Sequence, residues 1–183
     1  MIQQLRWGVS LDEVEAARSK AGQSRAAFAA AHGFASWRRL LVFVLESGGH
    51  DPEQLEDAQH RFQRLACLAY GNDRFENFAR AEAMLAAQPA LGVADIWSAA
   101  CVGDVSAVRA HLDAGVELEA RGGYFDWPPL LYACYSRIAG DDSSTLAVAE
   151  LLLERGADPN AHYMWGGVYR FTTLTGAFGH GES

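Results

Sequence analysis

Three sets of residues in this chain could carry chemistry. The first is a run of cysteines, Cys67, Cys101 and Cys134, each preceded by alanine and spaced by 34 and then 33 residues. Three thiols could form a disulfide or a zinc site. The regular spacing argues against both. Self-similarity at a fixed period of about 20–50 residues marks a chain built from repeated units. Equivalent positions in stacked helices sit about 8–10 Å apart at the backbone. A disulfide needs Cα atoms within about 7 Å, and zinc–sulfur bonds are about 2.3 Å long. The cysteines therefore read as small buried apolar residues in a reducing cytosol, and no metal or cofactor is expected.

The second set is six histidines: His32, His50, His60, His111, His162 and His180. None is paired with another at metal-ligand spacing. His32 stands before a glycine turn, where a helix C-terminus favours the charged form. His111 reads as packed. The chain has no Gly-x-Ser-x-Gly, P-loop, His-Glu-x-x-His or Cys-x-x-Cys pattern, so no catalytic residue is assigned. The glycine-rich Gly176–Gly181 follows no predicted strand and reads as a loop rather than a phosphate cradle.

The third set is aromatic. Tyr124, Phe125 and Trp127 crowd one loop, and Tyr163, Trp165, Tyr169 and Phe171 crowd another. Aromatics on exposed loops are the usual anchors of binding surfaces. Trp127 and Phe171 read as core, whereas Tyr124, Tyr163, Trp165 and Tyr169 are the better surface candidates. Asp126, Arg137, His162 and Arg170, with Asp141 and Asp142, are expected to rim the same face.

These residues have to be positioned by helices. The 183 residues are half apolar and 21% charged, with a net charge of −8 and a single lysine, Lys20. A chain this long buries roughly 70% of its unfolded surface. The acidic balance argues against a nucleic acid partner, which needs clustered cations; a local basic patch is confined to Arg38, Arg39, Arg61 and Arg64. The first ten residues do not read as a signal peptide. The longest apolar run, Leu40–Leu45, is far short of the roughly 20 residues that span a membrane. The expected location is the cytoplasm.

Along the chain, Ser10 to Glu13 forms a capping box that starts a helix running to about Ala21. Further helices are predicted from Ser24 to His32 and from Ser36, the latter with Trp37, Leu40, Leu41, Val44 and Leu45 as its apolar stripe. Asp51-Pro52 opens a helix reaching Gly71, and an Asp73–Glu76 capping box starts another that ends at Gln88-Pro89. Helix pairs follow at 95–101 with 106–114, and at 129–135 with 145–154. The polar SRIAGDDSS stretch between the last two reads as a mobile insertion.

The stretch Leu151–Ala161, LLLERGADPNA, resembles the ankyrin repeat family: two leucines, then Gly156-Ala157-Asp158, then Asn160-Ala161. Ala99-Ala100, Gly103-Asp104, Val108, Leu112 and Gly115 are similar to another copy. Pro129-Leu130 with Ala133, and Thr173-Leu174 with Ala177, resemble the Thr-Pro-Leu-His-x-Ala helix start, with Pro128 and Leu131 replacing Thr and His. GFASWRRL (Gly33–Leu40) resembles a segment of bacterial proteins of this kind. The resemblance covers 95–178, more loosely 60–94. It implies an all-α solenoid of helix-turn-helix pairs, with residues 1–50 as an N-terminal helical cap, 51–94 as a degenerate pair and 95–183 as repeats, the last incomplete. It also implies that the aromatic loops project as fingers beside a concave groove and that the partner is a protein.

The expected function is a protein-binding module using Tyr124, Phe125, Asp126, Trp127, Arg137, His162, Tyr163, Trp165, Tyr169 and Arg170. The alternative is a small-molecule binder or enzyme with a pocket between loops 122–128 and 162–171. A third reading is a purely structural segment of a larger protein. After Phe178 no second helix follows, so Val148, Leu151 and Leu174 are expected to lie open, as in a truncated product or a surface covered by a partner or second copy.

Overall fold

The computed structural model describes residues 5–71, 73–138 and 142–179, and for 142–143 the backbone alone. Asp141, the side chain of Asp142, His180 and the terminal Gly181-Glu182-Ser183 lie outside the described residues, as do Ala139 and Gly140 of the expected insertion.

The described chain is mostly helical. Ten α-helices follow in order: α1 (Leu11–Lys20), α2 (Arg25–Ala31), α3 (Trp37–Ser47), α4 (Ala58–Ala66), α5 (Phe75–Ala87), α6 (Ile96–Val102), α7 (Val105–Asp113), α8 (Pro129–Tyr135), α9 (Asp142–Glu154) and α10 (Thr173–Phe178). Most starts are written in side chains. Ser10, Ser24, Ser36, Asp57, Asp95, Asp104 and Thr172 each accept a backbone N–H from the first turn of their helix. Such caps contribute about 1 kcal/mol each.

Two expected helix starts differ. The helix predicted from Asp51 is a short 3-10 turn, Pro52–Gln54, and the true helix begins only after Asp57. The Asp73–Glu76 box does not form. Asp73 instead accepts the N–H groups of Ala69 and Tyr70 at 2.9 Å each, and α5 starts without a side-chain cap. The turn after α4 thus takes the carboxylate that the helix was expected to use.

The all-α expectation also misses an antiparallel hairpin, β1 (His162–Trp165) and β2 (Tyr169–Thr172), with Trp165 paired to Tyr169 and His162 to Thr172. Gly166 and Gly167, both at positive φ, turn it. A Gly-Gly pair between alternating aromatic runs is a hairpin signal.

Helix α6 packs between α4 and α8, and α8 between α6 and α10; α5, α7 and α9 pack on α4, α6 and α8 respectively. The core runs through this arrangement, with Phe62, Leu65, Ile96, Leu131 and Leu152 almost fully buried. The first two cysteines of the ladder touch through their sulfurs, Cys67 Sγ to Cys101 Sγ at 3.5 Å, and all three are free thiols. Burial pushes the Cys101 thiol pKa well up, so it is inert as a nucleophile. Among the described residues no group of three His, Cys, Asp or Glu side chains is placed to hold a metal. No described helix is long and apolar enough to cross a membrane.

Helix α3 departs from its predicted stripe. Arg39, Val42, Phe43 and Glu46 are buried along with Leu40 and Val44, whereas Leu41 and Leu45 are only half-buried. One flank meets α1 and α2. The other meets the 122–127 loop and the hairpin, through contacts described next. An α-helix enclosed on most sides is apolar around most of its circumference, and the two charged residues on its buried side need partners.

Candidate functional site

The candidate site is the face where α3 meets the two aromatic loops. Ser36 sets it up. As N-cap it accepts from Arg39 N at 3.1 Å, and its hydroxyl donates to Asp126 Oδ2 at 2.5 Å. Asp126 sits at φ 54, the left-handed region, as the pivot of its loop. Arg38 Nε donates to Tyr124 O at 3.1 Å and Arg39 Nη1 to Phe125 O at 2.7 Å. Two arginines in the first turn oppose the helix dipole; their hydrogen bonds to the loop carbonyls compensate. Farther along α3, Glu46 Oε1 accepts from Arg64 Nε at 2.6 Å and from the Tyr124 hydroxyl at 2.8 Å. This pair is almost wholly buried. Burial and then the Glu46 carboxylate push the Tyr124 pKa up, so its phenol stays protonated as a donor.

The aromatics expected to line an open groove are therefore interior. Tyr124, Phe125, Trp127 and Tyr163 are each under 4% exposed and Trp165 is 8% exposed. The Phe125 and Trp127 rings stack at 4.1 Å, Trp127 meets Tyr163 at 4.7 Å, and Phe43 of α3 meets Trp165 edge-on at 5.3 Å. Tyr124, Tyr163 and Trp165 are thus corrected from surface candidates to core. The reason is physical: α3 of the same chain fills the space beside the loops. Trp127 is core, as read; Phe171 is half-buried.

Arg137 is also reassigned. Its guanidinium donates to the carbonyls of Cys134, Ser136, Gly176 and Gly179, tying the C-terminal ends of α8 and α10 together. Tyr169 and Arg170 remain exposed at the hairpin tip beside Val168, and His162 is half-buried with Nδ1 at 3.4 Å from Arg170 Nη2. Of the residues expected to lie open at the chain end, Val148 and Leu151 are buried. Leu174 is 65% exposed and Phe178 75% exposed.

Two cavities flank α3. One, of about 170 Å³, has an apolar floor of Leu41, Val42, Leu45 and Leu55, with Arg38, Asp57 and His60 at its edge. Burial, then the Arg38 charge, lowers the His60 pKa. The Asp57 carboxyl is held low by the His60 backbone N–H it accepts as N-cap. The other cavity, of about 60 Å³, is lined by Ala35, Arg39, Arg121, His162, Tyr163 and Met164. Neither cavity brings a Ser, Thr or Cys nucleophile beside a base.

Sequence reasoning placed Arg39 in a basic patch and missed its position here. The available signal was an arginine three and four residues before Val42 and Phe43, on the buried side of a helix. Arg121 and Met164 carried no signal. No family model matches this chain, and no curated protein or solved structure gives a significant match.

Proposed function

We propose that the chain is a protein-binding module built as an ankyrin-like stack of helix pairs, with α3 folded over its finger loops. Several local features support the stack. The order α4, α6, α8, α10 forms one row, and α5, α7 and α9 lie behind it. Gly103, Gly115 and Gly156 take left-handed φ values at helix ends, where a helix closes its last carbonyls. A hairpin stands before α10, as a finger would.

The observation that carries the binding reading is the outer surface at the hairpin tip and α10. Val168, Tyr169, Leu174 and Phe178 are all exposed. Leu174 and Phe178 are four residues apart on one face of α10. Because α3 covers the other aromatics, the partner surface moves from the groove to this edge. A second copy of the chain is the competing occupant.

The test is a purified-partner capture comparing wild type with a Tyr169→Ala, Phe178→Ser double variant, alongside light scattering. A partner retained by wild type and lost by the variant supports the proposal. Identical partner sets from both sink it. Concentration-dependent dimerisation that the variant abolishes assigns the surface to self-association instead.

A further inference from the structure

Among the described residues Arg39 is a buried cation with no ion pair. Its residue is 2% exposed. The Tyr163 ring lies 4.6 Å and the Trp127 ring 5.6 Å from its Cζ. Only Nη1 has a hydrogen-bond acceptor, Phe125 O. Among the described residues no carboxylate lies within ion-pair distance of it. The nearby Asp126 attracts it from beyond that distance and accepts its hydrogen bond from the Ser36 hydroxyl. Burial lowers the Arg39 pKa, but a guanidinium is too basic to shed its proton in a folded protein. A buried charge held without a counter-charge is strongly disfavoured.

Arg39 forms part of the wall of the 60 Å³ cavity, where Arg121 and His162 join it, and Arg170 stands against His162. On a chain whose net charge is −8, this is a local concentration of arginines. With Nη1 tied to the loop, the Nε–Nη2 edge is left with no hydrogen bond to a described residue, and Arg39 lines the cavity. That edge is the one that takes two oxygens at once. Burial and the bond to Phe125 O already hold the side chain, so little rotamer freedom remains to be lost on binding.

We propose that this cavity is an oxyanion site, in which the Nε–Nη2 edge of Arg39 grips a carboxylate or phosphate group and Arg121 and His162 close over it. The volume admits one such group and no more, so the body of any ligand lies across the mouth, beside Met164 and the hairpin. The site stands independently of a protein partner, since the group can belong to a free small molecule or to a side chain.

The experiment is a titration of the full chain with inorganic phosphate and, separately, acetate, with chloride at matched ionic strength as control. The readout is the Arg39 Nε–Hε resonance and the His162 ring signals. A saturable shift with phosphate or acetate, absent with chloride, is expected. Phosphate binding alone points to phosphoryl ligands, acetate alone to carboxylates. Arg39→Gln removes the grip but risks the fold, so Arg121→Ser, at an exposed position, is the second variant. Losing one charged hydrogen bond there should weaken binding about tenfold or more. No saturable shift with either anion, or unchanged affinity in Arg121→Ser, overturns the proposal.

Discussion

Gly33 and Gly167 meet backbone to backbone, so closely that a Cβ on Gly33 would overlap the Gly167 carbonyl and a Cβ on Gly167 would overlap that of His32. Both have left-handed φ values, +82 and +75. The turn before α3 and the turn of the hairpin are thus locked by two residues without side chains.

Gly167→Ala should therefore destabilise the fold by more than φ strain alone, which is about 1 kcal/mol. Gly49→Ala is the control, because Gly49 has φ +69 and open space around it. Urea midpoints of the two variants separate strain from overlap. Limited proteolysis should show faster cleavage before α3 in Gly167→Ala only. Equal midpoints would show that the contact is slack.

The Glu46–Arg64 pair gives a second prediction. Breaking a buried pair from one side typically costs about 3–5 kcal/mol. Glu46→Ala should lose about that much, and it also strips the Tyr124 hydroxyl of its acceptor. The double variant Glu46→Met, Arg64→Leu should lose less than the single. Chemical denaturation of both checks this, and a double variant worse than the single would contradict it.

His60 sets a pH dependence. Its pKa lies below the ordinary 6.5 because burial and Arg38 disfavour the imidazolium. As pH falls below about 6.5, the unfolded chain takes up a proton that folded His60 resists, so stability drops until the lowered value is passed. The Asp57 carboxyl, also depressed, adds its loss only below its ordinary 3.8. Comparing urea midpoints at about pH 7.5 and 5.5 isolates the histidine. His60→Gln should flatten that difference.

Arg137→Met should release α10. A hydrogen bond from a charged group contributes about 1.5–3 kcal/mol, and this guanidinium serves carbonyls at the ends of α8 and α10. Amide exchange should quicken in α10 before α8. Uniform quickening along both helices would refute a local clasp.

The helix ends were the most legible part of this sequence, because Ser10, Ser24, Ser36, Asp95 and Thr172 cap by local bonds that need no tertiary information. Asp73 shows the limit: the same residue type can serve a helix ahead of it or a turn behind it, and packing around Arg64 decides. The Ala-Cys spacing marked three segments that do pack in sequence, α4 on α6 and α6 on α8. The candidate site was not. Tyr124, Tyr163 and Trp165 read identically whether a loop stands free or is covered, and what covers them comes from the far end of the chain. Arg39 read as surface charge because its partners, the Phe125 carbonyl and two rings, are distant in sequence.

Those distances bear on how the protein is made. Arg39 finds its carbonyl 86 residues downstream, and Gly33 waits for Gly167. During synthesis Glu46 meets Arg64 early, but Arg39 stays unmatched until Phe125 has emerged, and the flank of α3 that packs on the hairpin stays bare until Trp165 has left the ribosome. Contacts this far apart slow folding, and exposed apolar surface in the interval invites aggregation. The nascent chain should therefore lean on chaperones longer than its helix content suggests, and a circular permutant that places α1–α3 after α10 should fold faster.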